Sequence, residues 1–516
     1  MSTKTCGVLI KIIFTLFIFS DVHCKILNPV ILVPGDGGTQ FEAKLNKTVT
    51  PHSLCVKKTS DYFSLWLNLE ELAPVVIDCF TDNMKLVYNR TTHTTSNTPG
   101  VDIRISNFGG TSTVEWLDPS QLSVTSYFAP IVNAMVSWGY KRGVSVRGVP
   151  FDFRKAPNEF KELYQKMKAL IEETYRINNN TRVILLAHSM GNPTSLYFYN
   201  QMSQAWKDKY LEAHISLAGV WVGAIKPLRL FASGDSLGVV FVKPIKVREE
   251  QRSMPSSAWL MPSDKAWGPD EILVMQPERN YTVNDYKQFF QDINYMDGWY
   301  MRQDTVNLIR DLTPPGIKVH CLHGINVKTP GVLMYDKSSW FDSQPKIIPD
   351  NGDGTVNVRS LRACLNWQKQ QKQPIYHKEF PGVDHMTLLK DAGVIQYLKQ
   401  PLDIKKPQPT GFDSLSKGYR TFKHIIMDRR ELRNYVDMPH FHPEKNVVNG
   451  IDLYKNGRHI HEIRHELDQQ LHGIPSAKPR TLSAGSEGEP TSPTIGSPSP
   501  VTGSVKGFSF PKKNQS

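Results

Sequence analysis

The stretch Ala187-His188-Ser189-Met190-Gly191 follows directly on the apolar run Val183 to Leu186. A serine between small residues at a strand's end matches a nucleophile elbow, with alanine in the first glycine position. Small neighbours are needed because the backbone turns sharply from strand to helix and lifts the hydroxyl out at the carboxyl end of the sheet. Asn192-Pro193 then falls in a first helical turn, where proline costs little. An alcohol is a poor nucleophile at neutral pH, so a base is expected downstream, with an acid to orient it.

Pro381-Gly382-Val383-Asp384-His385 is a loop ending in a histidine, and Asn351-Gly352-Asp353-Gly354-Thr355-Val356 is a turn whose glycines expose a carboxylate. The order Ser189, Asp353, His385 is the hydrolase order: His385 takes the serine proton and Asp353 holds its tautomer. Asp350 and Asp384 compete for the acid's role, and His188, His320 and His323 for the base's, though these three read more readily as structural. Charge developing on an attacked carbonyl needs two backbone donors. The Met190 amide is one candidate. The other is the Asp36 amide in the turn Pro34-Gly35-Asp36-Gly37-Gly38. None of this chemistry calls for a cofactor or a metal.

Elements able to position these residues are visible. Val30 to Val33 and Val183 to Leu186 are short, continuously apolar runs, Ile215 to Ala218 and Val319 to Leu322 are largely apolar, and Phe160, Leu163, Met167, Leu170 and Ile171 recur at helical spacing. Strand–helix alternation of this kind predicts an α/β fold with a mostly parallel sheet covered on both faces. The pattern runs over residues 25–402. Residues 403–475 form a charged, histidine-rich extension, and residues 476–516, rich in Ser, Pro, Gly and Thr, predict a disordered tail.

At 516 residues, 40% hydrophobic and 21% charged, the chain is neither a minimal domain nor wholly disordered, and its single marked apolar run excludes a multi-span membrane protein. That run, within residues 1–24, reads as an export signal cleaved after Cys24. Four cysteines then remain, Cys55, Cys79, Cys321 and Cys364. Three pairings are open; Cys55–Cys79 and Cys321–Cys364, each flanking its own segment, are favoured. Asn46, Asn89, Asn179 and Asn280 stand in glycosylation tripeptides. A net charge of +12 suits anionic surfaces such as acidic lipids. No arginine-rich helix or stacking motif points to nucleic acid, and a monomer is expected.

Val33-Pro34-Gly35-Asp36, Ala187-His188-Ser189-Met190-Gly191-Asn192 and Gly352-Asp353-Gly354-Thr355-Val356 resemble the lecithin:cholesterol acyltransferase family, and within it the group XV phospholipase/acyltransferase branch. Phe41-Glu42-Ala43-Lys44-Leu45, Trp66 to Glu70, Ala205 to Tyr210 and Met301 to Thr305 add to the likeness, which runs from about Pro29 to Leu398. The resemblance implies an α/β-hydrolase core with Ser189, Asp353 and His385 as catalytic triad and Asp36 and Met190 at the oxyanion hole. It implies a small membrane-binding subdomain over about 54–80, and a cap over about 224–310 carrying a lid. The activity implied is removal of a fatty acyl chain from glycerophospholipid and its delivery to water or a lipid alcohol. The partner implied is a phospholipid membrane or lipoprotein surface; the compartment is the secretory route, lysosomal or extracellular. Sterol acyltransferase or neutral-lipid lipase activity is the alternative, and a silent lipid-binding protein the remote one.

The resemblance also tips two segments toward the interface. Trp66, Leu67 and Leu69, between Cys55 and Cys79, are expected to form an apolar patch held away from the core. Residues 231–242, with Val239 and Phe241, are expected to form the lid, and Lys226 is a candidate for headgroup contact. Gly219-Val220-Trp221-Val222-Gly223 departs from the family's usual Ala-Pro-Trp-Gly-Gly. His461-Glu462-Ile463-Arg464-His465 spells the zinc-protease pattern, but Asp468 stands where the extended motif requires glycine, so it reads as a solvated face.

Overall fold

A computed structural model describes residues 27–239, 241–338 and 340–404. The expected signal segment, the histidine-rich extension with its zinc-protease pattern, and the tail lie outside the described residues.

Six strands make the central sheet: β1 (Val30–Val33), β2 (Val146–Gly148), β3 (Val183–His188), β4 (Leu211–Leu217), β5 (Lys318–Ile325) and β6 (Ile375–Pro381). Their order is β6-β5-β4-β3-β1-β2, and every pairing is parallel. Both β1 and β3 are buried along their whole length. Alternate side chains explain why: Ile31, Val33, Leu185 and Ala187 pack into one core, Val30, Leu32, Ile184 and Leu186 into another on the opposite face. Helix α1 (Lys161–Ile177) covers the first face with Tyr164, Met167, Leu170 and Ile171. Residues 129–137, helical with Ile131, Val132 and Met135 buried, cover the second.

This order fixes where a ligand binds. From β1 the chain leaves to one side, to β2, then returns to β3 on the other side of β1 and continues away. The β1/β3 boundary is thus a topological switch point, and the loops leaving the carboxyl ends of these two strands frame a crevice. Those loops are the 34–38 turn and the serine elbow.

A four-stranded sheet, in which Val327–Met334 pairs antiparallel with the edge strand Lys346–Gly352, delivers the chain to Asp353. A three-stranded sheet pairs Phe41–Leu45 with Phe63–Trp66 and Val101–Arg104. Among the described residues no helix is long and apolar enough to cross a membrane.

Candidate functional site

Ser189 adopts φ of 53°, the left-handed region that a non-glycine residue enters at a cost. The elbow is held by its surroundings. The Ser189 amide donates to the Leu217 carbonyl at 2.9 Å. The Asn192 side chain donates to the carbonyls of Ser189 and Leu217, and its oxygen accepts from His214 Nε2. Helix α2 (Gly191–Asn200) starts immediately after. A Cβ on Gly191 would lie 2.4 Å from the Val33 carbonyl oxygen, and one on Gly35 would lie 2.7 Å from Ser189 Cβ. The small residues of the motif are therefore required by how closely β1 and its loop approach the elbow.

His385 Nε2 stands 2.9 Å from Ser189 Oγ, and His385 Nδ1 stands 2.7 Å from Asp353 Oδ2. All three residues are buried. The other Asp353 oxygen accepts from the Thr355 and Val356 amides, and the Asp353 carbonyl accepts from the His385 amide at 2.8 Å. Burial works to raise the Asp353 carboxyl, but His385, by charge and hydrogen bond, and the two amides outweigh it and hold it below the usual carboxylate range. A permanent anion behind Nδ1 fixes the proton there and leaves Nε2 free to accept from the serine. Asp350 instead accepts from the Asn357 side chain, and Asp384 accepts from the amides of Met386 and Thr387. The structure brings neither competitor to His385 Nδ1.

Sequence reasoning missed a second network behind the first. His188 Nε2 lies 3.0 Å from the His385 carbonyl, His188 Nδ1 lies 2.5 Å from the Tyr127 hydroxyl, and that hydroxyl accepts from the Gly35 amide at 2.9 Å. Burial, with His385 nearby, pushes the His188 imidazole down to about 3, so it is neutral. Its only consistent tautomer donates from Nε2 and accepts at Nδ1 from Tyr127. The chain of bonds joins the 34–38 turn to the backbone of His385. Nothing local in sequence marks Tyr127, which is 92 residues from Gly35.

Ser189 and His385 open into a cavity of about 560 Å³, within the usual range for ligand sites. Trp66, Leu67, Leu69, Val220, Leu230 and Met254 supply much of its apolar wall. Met190 opens helix α2, where an amide has no intrahelical acceptor. Asp36 is exposed into this cavity, with protein packed around it. Desolvation pushes its carboxyl up to about 6, against the pull of Lys226, the Gly37 amide and His385.

The same wall holds Glu250, buried, with Oε2 lacking a hydrogen-bond partner among the described residues. Desolvation, reinforced by Asp36 and opposed by Arg154, pushes its carboxyl up from 4.5 to about 8. The folded protein therefore binds a proton that the unfolded chain releases, and stability falls as pH rises between those values. Glu250→Gln is expected to raise stability at pH 7 by up to about 3 kcal/mol, with the difference vanishing near pH 4. Paired denaturant titrations at the two pH values check this; an equal difference at both would contradict it.

The interface expectations need one correction. Trp66 and Leu67 are buried and do not form a patch held away from the core. Phe63–Trp66 is a sheet strand, the Trp66 ring packs against Phe80 and Phe153, and its Nε1–H needs a buried acceptor, which it finds in the Gly37 carbonyl at 2.7 Å. Leu69, half-buried, joins them on the cavity wall. The large apolar residues that this disulfide-closed segment does expose are Val56 and Val75, with Leu54 exposed just before Cys55. In the segment expected as a lid, Leu237, Gly238 and Val239 line the cavity, Val239 packs on the core, and Phe241 is exposed. In the departing stretch 219–223, Val220 lines the cavity and the Val222 amide is bound to Ser360 Oγ.

Disulfides join Cys55 to Cys79 and Cys321 to Cys364, with Cα separations of 5.3 and 6.8 Å. Asn46, Asn89, Asn179 and Asn280 are all exposed. His320 Nδ1 is bound to the Tyr397 hydroxyl.

A parallel sheet with a strained serine at its switch point, backed by a histidine and a buried carboxylate, defines an α/β-hydrolase. The family model described as lecithin:cholesterol acyltransferase matches residues 62–392, and the chain belongs to that family. It is 48% identical over 374 residues to the lysosomal phospholipase A and acyltransferase of Homo sapiens, covering 72% of this chain and 90% of the relative. It is 44% identical to the phosphatidylcholine-sterol acyltransferase of Gallus gallus, covering 70% and 87%, and 39% identical to that of Homo sapiens, covering 70% and 81%.

Proposed function

We propose that the chain removes a fatty acyl chain from glycerophospholipids through an acyl-Ser189 intermediate and passes it to water or a lipid alcohol. The observation that carries this reading is the Ser189–His385–Asp353 chain opening onto an apolar cavity. His385 Nε2 takes the Oγ proton as the oxygen attacks the ester carbonyl, and the amides of Met190 and Asp36 face the oxyanion. Collapse expels the lysophospholipid alkoxide, which takes the proton from His385. Water or an alcohol, deprotonated by the same nitrogen, then releases the acyl group. The likeness to a phospholipase A and acyltransferase supports this substrate class. Similarity to phosphatidylcholine-sterol acyltransferases favours sterol as the second candidate acceptor.

The reading extends to a monomer of the secretory pathway, lysosomal or secreted, that meets anionic lipid through its basic surface. Product analysis on phospholipid vesicles containing a long-chain alcohol or cholesterol tests it. Free fatty acid plus the alcohol ester is expected; sterol ester with little else would favour the second acceptor, and no lipid product would overturn the proposal.

Asp36 gives this reading a pH dependence. Its carboxyl is neutral below about pH 6 and anionic above. An anion beside the forming oxyanion raises the barrier, so ionisation of Asp36 is expected to lower kcat/KM as pH rises through about 6, separately from the titration of the general base. Asp36→Asn, neutral throughout, is expected to flatten that limb. A variant profile superposable on the parent's would remove Asp36 from this role.

A further inference from the structure

On β5 and β6, away from the serine cavity, His323, His377 and Glu379 bring their ligand atoms together. The sheet register explains how: Cys321 lies beside His377 and His323 beside Glu379, so these odd-numbered side chains share one sheet face. His323 Nε2 is 2.9 Å from His377 Nε2, and the two nitrogens are 3.7 and 3.6 Å from Glu379 Oε1. Zinc–nitrogen bonds of about 2.0–2.1 Å at the tetrahedral angle place neighbouring ligands about 3.3 Å apart. The triangle therefore brackets that spacing and needs only small side-chain adjustment.

The surroundings also suit a metal. His323 Nδ1 donates to the Gly324 carbonyl at 3.0 Å, which leaves the lone pair on Nε2, facing the other two groups. Burial lowers the pKa of both imidazoles, favouring their neutral, ligating forms. Arg362 Nε donates to Glu379 Oε1 at 2.6 Å, a bond that orients the carboxylate from the exposed side. The Cys321–Cys364 disulfide ties the segment carrying Arg362 to β5. His323 is buried, whereas His377 and Glu379 are half-buried on the edge strand, so a cation can enter from solvent and keep a water ligand.

We propose that His323, His377 and Glu379 form a binding site for a divalent transition-metal cation of the zinc class, distinct from the Ser189 site. The cation replaces the proton shared by the two Nε2 atoms, His377 taking its Nδ1–H tautomer. Bound there, it clips edge strand β6 to β5, six residues before His385. Gly324, next to His323, lies against Val383 and Asp353, so the clip steadies the strand ends that carry the His385 loop. The inference does not depend on the substrate assigned above.

Cobalt(II) titration of the full chain, stripped with EDTA and held at about pH 7.5, tests the site. The expected result is one equivalent of cobalt with the visible absorption of a low-coordinate nitrogen–oxygen site, displaced by zinc, with zinc raising the melting temperature. Since losing an outer-shell partner weakens metal binding 10–100-fold, losing a ligand in His377→Leu or His323→Gln is expected to weaken it more than about 100-fold. His385→Ala is expected to retain that equivalent. His377→Leu changes a half-buried edge position and is expected to melt like the parent in EDTA, so it carries the test if the buried His323→Gln fails to fold. A parent protein without the band, or a His377→Leu variant that binds as many equivalents with the same spectrum, overturns the proposal.

Discussion

Ser189→Ala is expected to lower hydrolysis and acyl transfer together, by at least about 10⁴-fold in kcat, while the fold survives. Both reactions pass through the same acyl-serine, so no acceptor rescues the variant. Alanine removes only Oγ, whose sole partner among the described residues is His385 Nε2, and the elbow remains held by the Leu217 carbonyl and Asn192. A melting temperature close to the parent's, with activity lost on phospholipid and on a soluble ester alike, is the signature. Loss of transfer alone would mean that the two reactions use different nucleophiles.

Asp353→Asn is expected to cost about 10³–10⁴-fold in kcat, the scale seen when the same change is made in a serine-protease triad. The asparagine oxygen can still accept from the Thr355 and Val356 amides, which turns its NH₂ toward His385 Nδ1. The imidazole must then present a lone pair to that NH₂ and carry its proton on Nε2, where it cannot accept from Ser189. Asp384→Asn is the matched control, since Asp384 accepts from the Met386 and Thr387 amides and the Thr387 hydroxyl rather than from His385, and about tenfold or less is expected there. Equal losses in the two variants would contradict the assignment of the acid.

Much of this was legible in the chain because the requirements are local. A strand ending in a serine between small residues, a glycine turn presenting a carboxylate and a histidine closing a loop each announce themselves within about six residues. The largely apolar runs foretold burial on both faces, and β1, β3, β4 and β5 follow them. Strands β2 and β6 went unnoticed: the first is three residues long, and the second, at the sheet edge, alternates half-buried with exposed residues instead of forming an apolar run. The Gly35–Tyr127–His188–His385 network was illegible because its partners lie 61 to 197 residues apart, and pairing at that range is set by the sheet. Trp66 and Leu67 show the same limit in another form. An apolar cluster near a disulfide predicts burial somewhere, but only the register of Phe63–Trp66 against Phe41–Leu45 decides that it faces inward to the cavity. His323, read from sequence as a structural histidine, gained meaning only when the β5/β6 register set it beside Glu379.

The central claim is a covalent bond between a fatty acyl group and one hydroxyl. Brief incubation with phospholipid carrying a labelled acyl chain, followed by an acid quench and mass mapping of peptides, reads it directly. The expected result is the acyl mass on the peptide containing Ser189, accumulating in the parent and absent from Ser189→Ala. Turnover without any acylated peptide, or acylation on another residue that persists in Ser189→Ala, would contradict it.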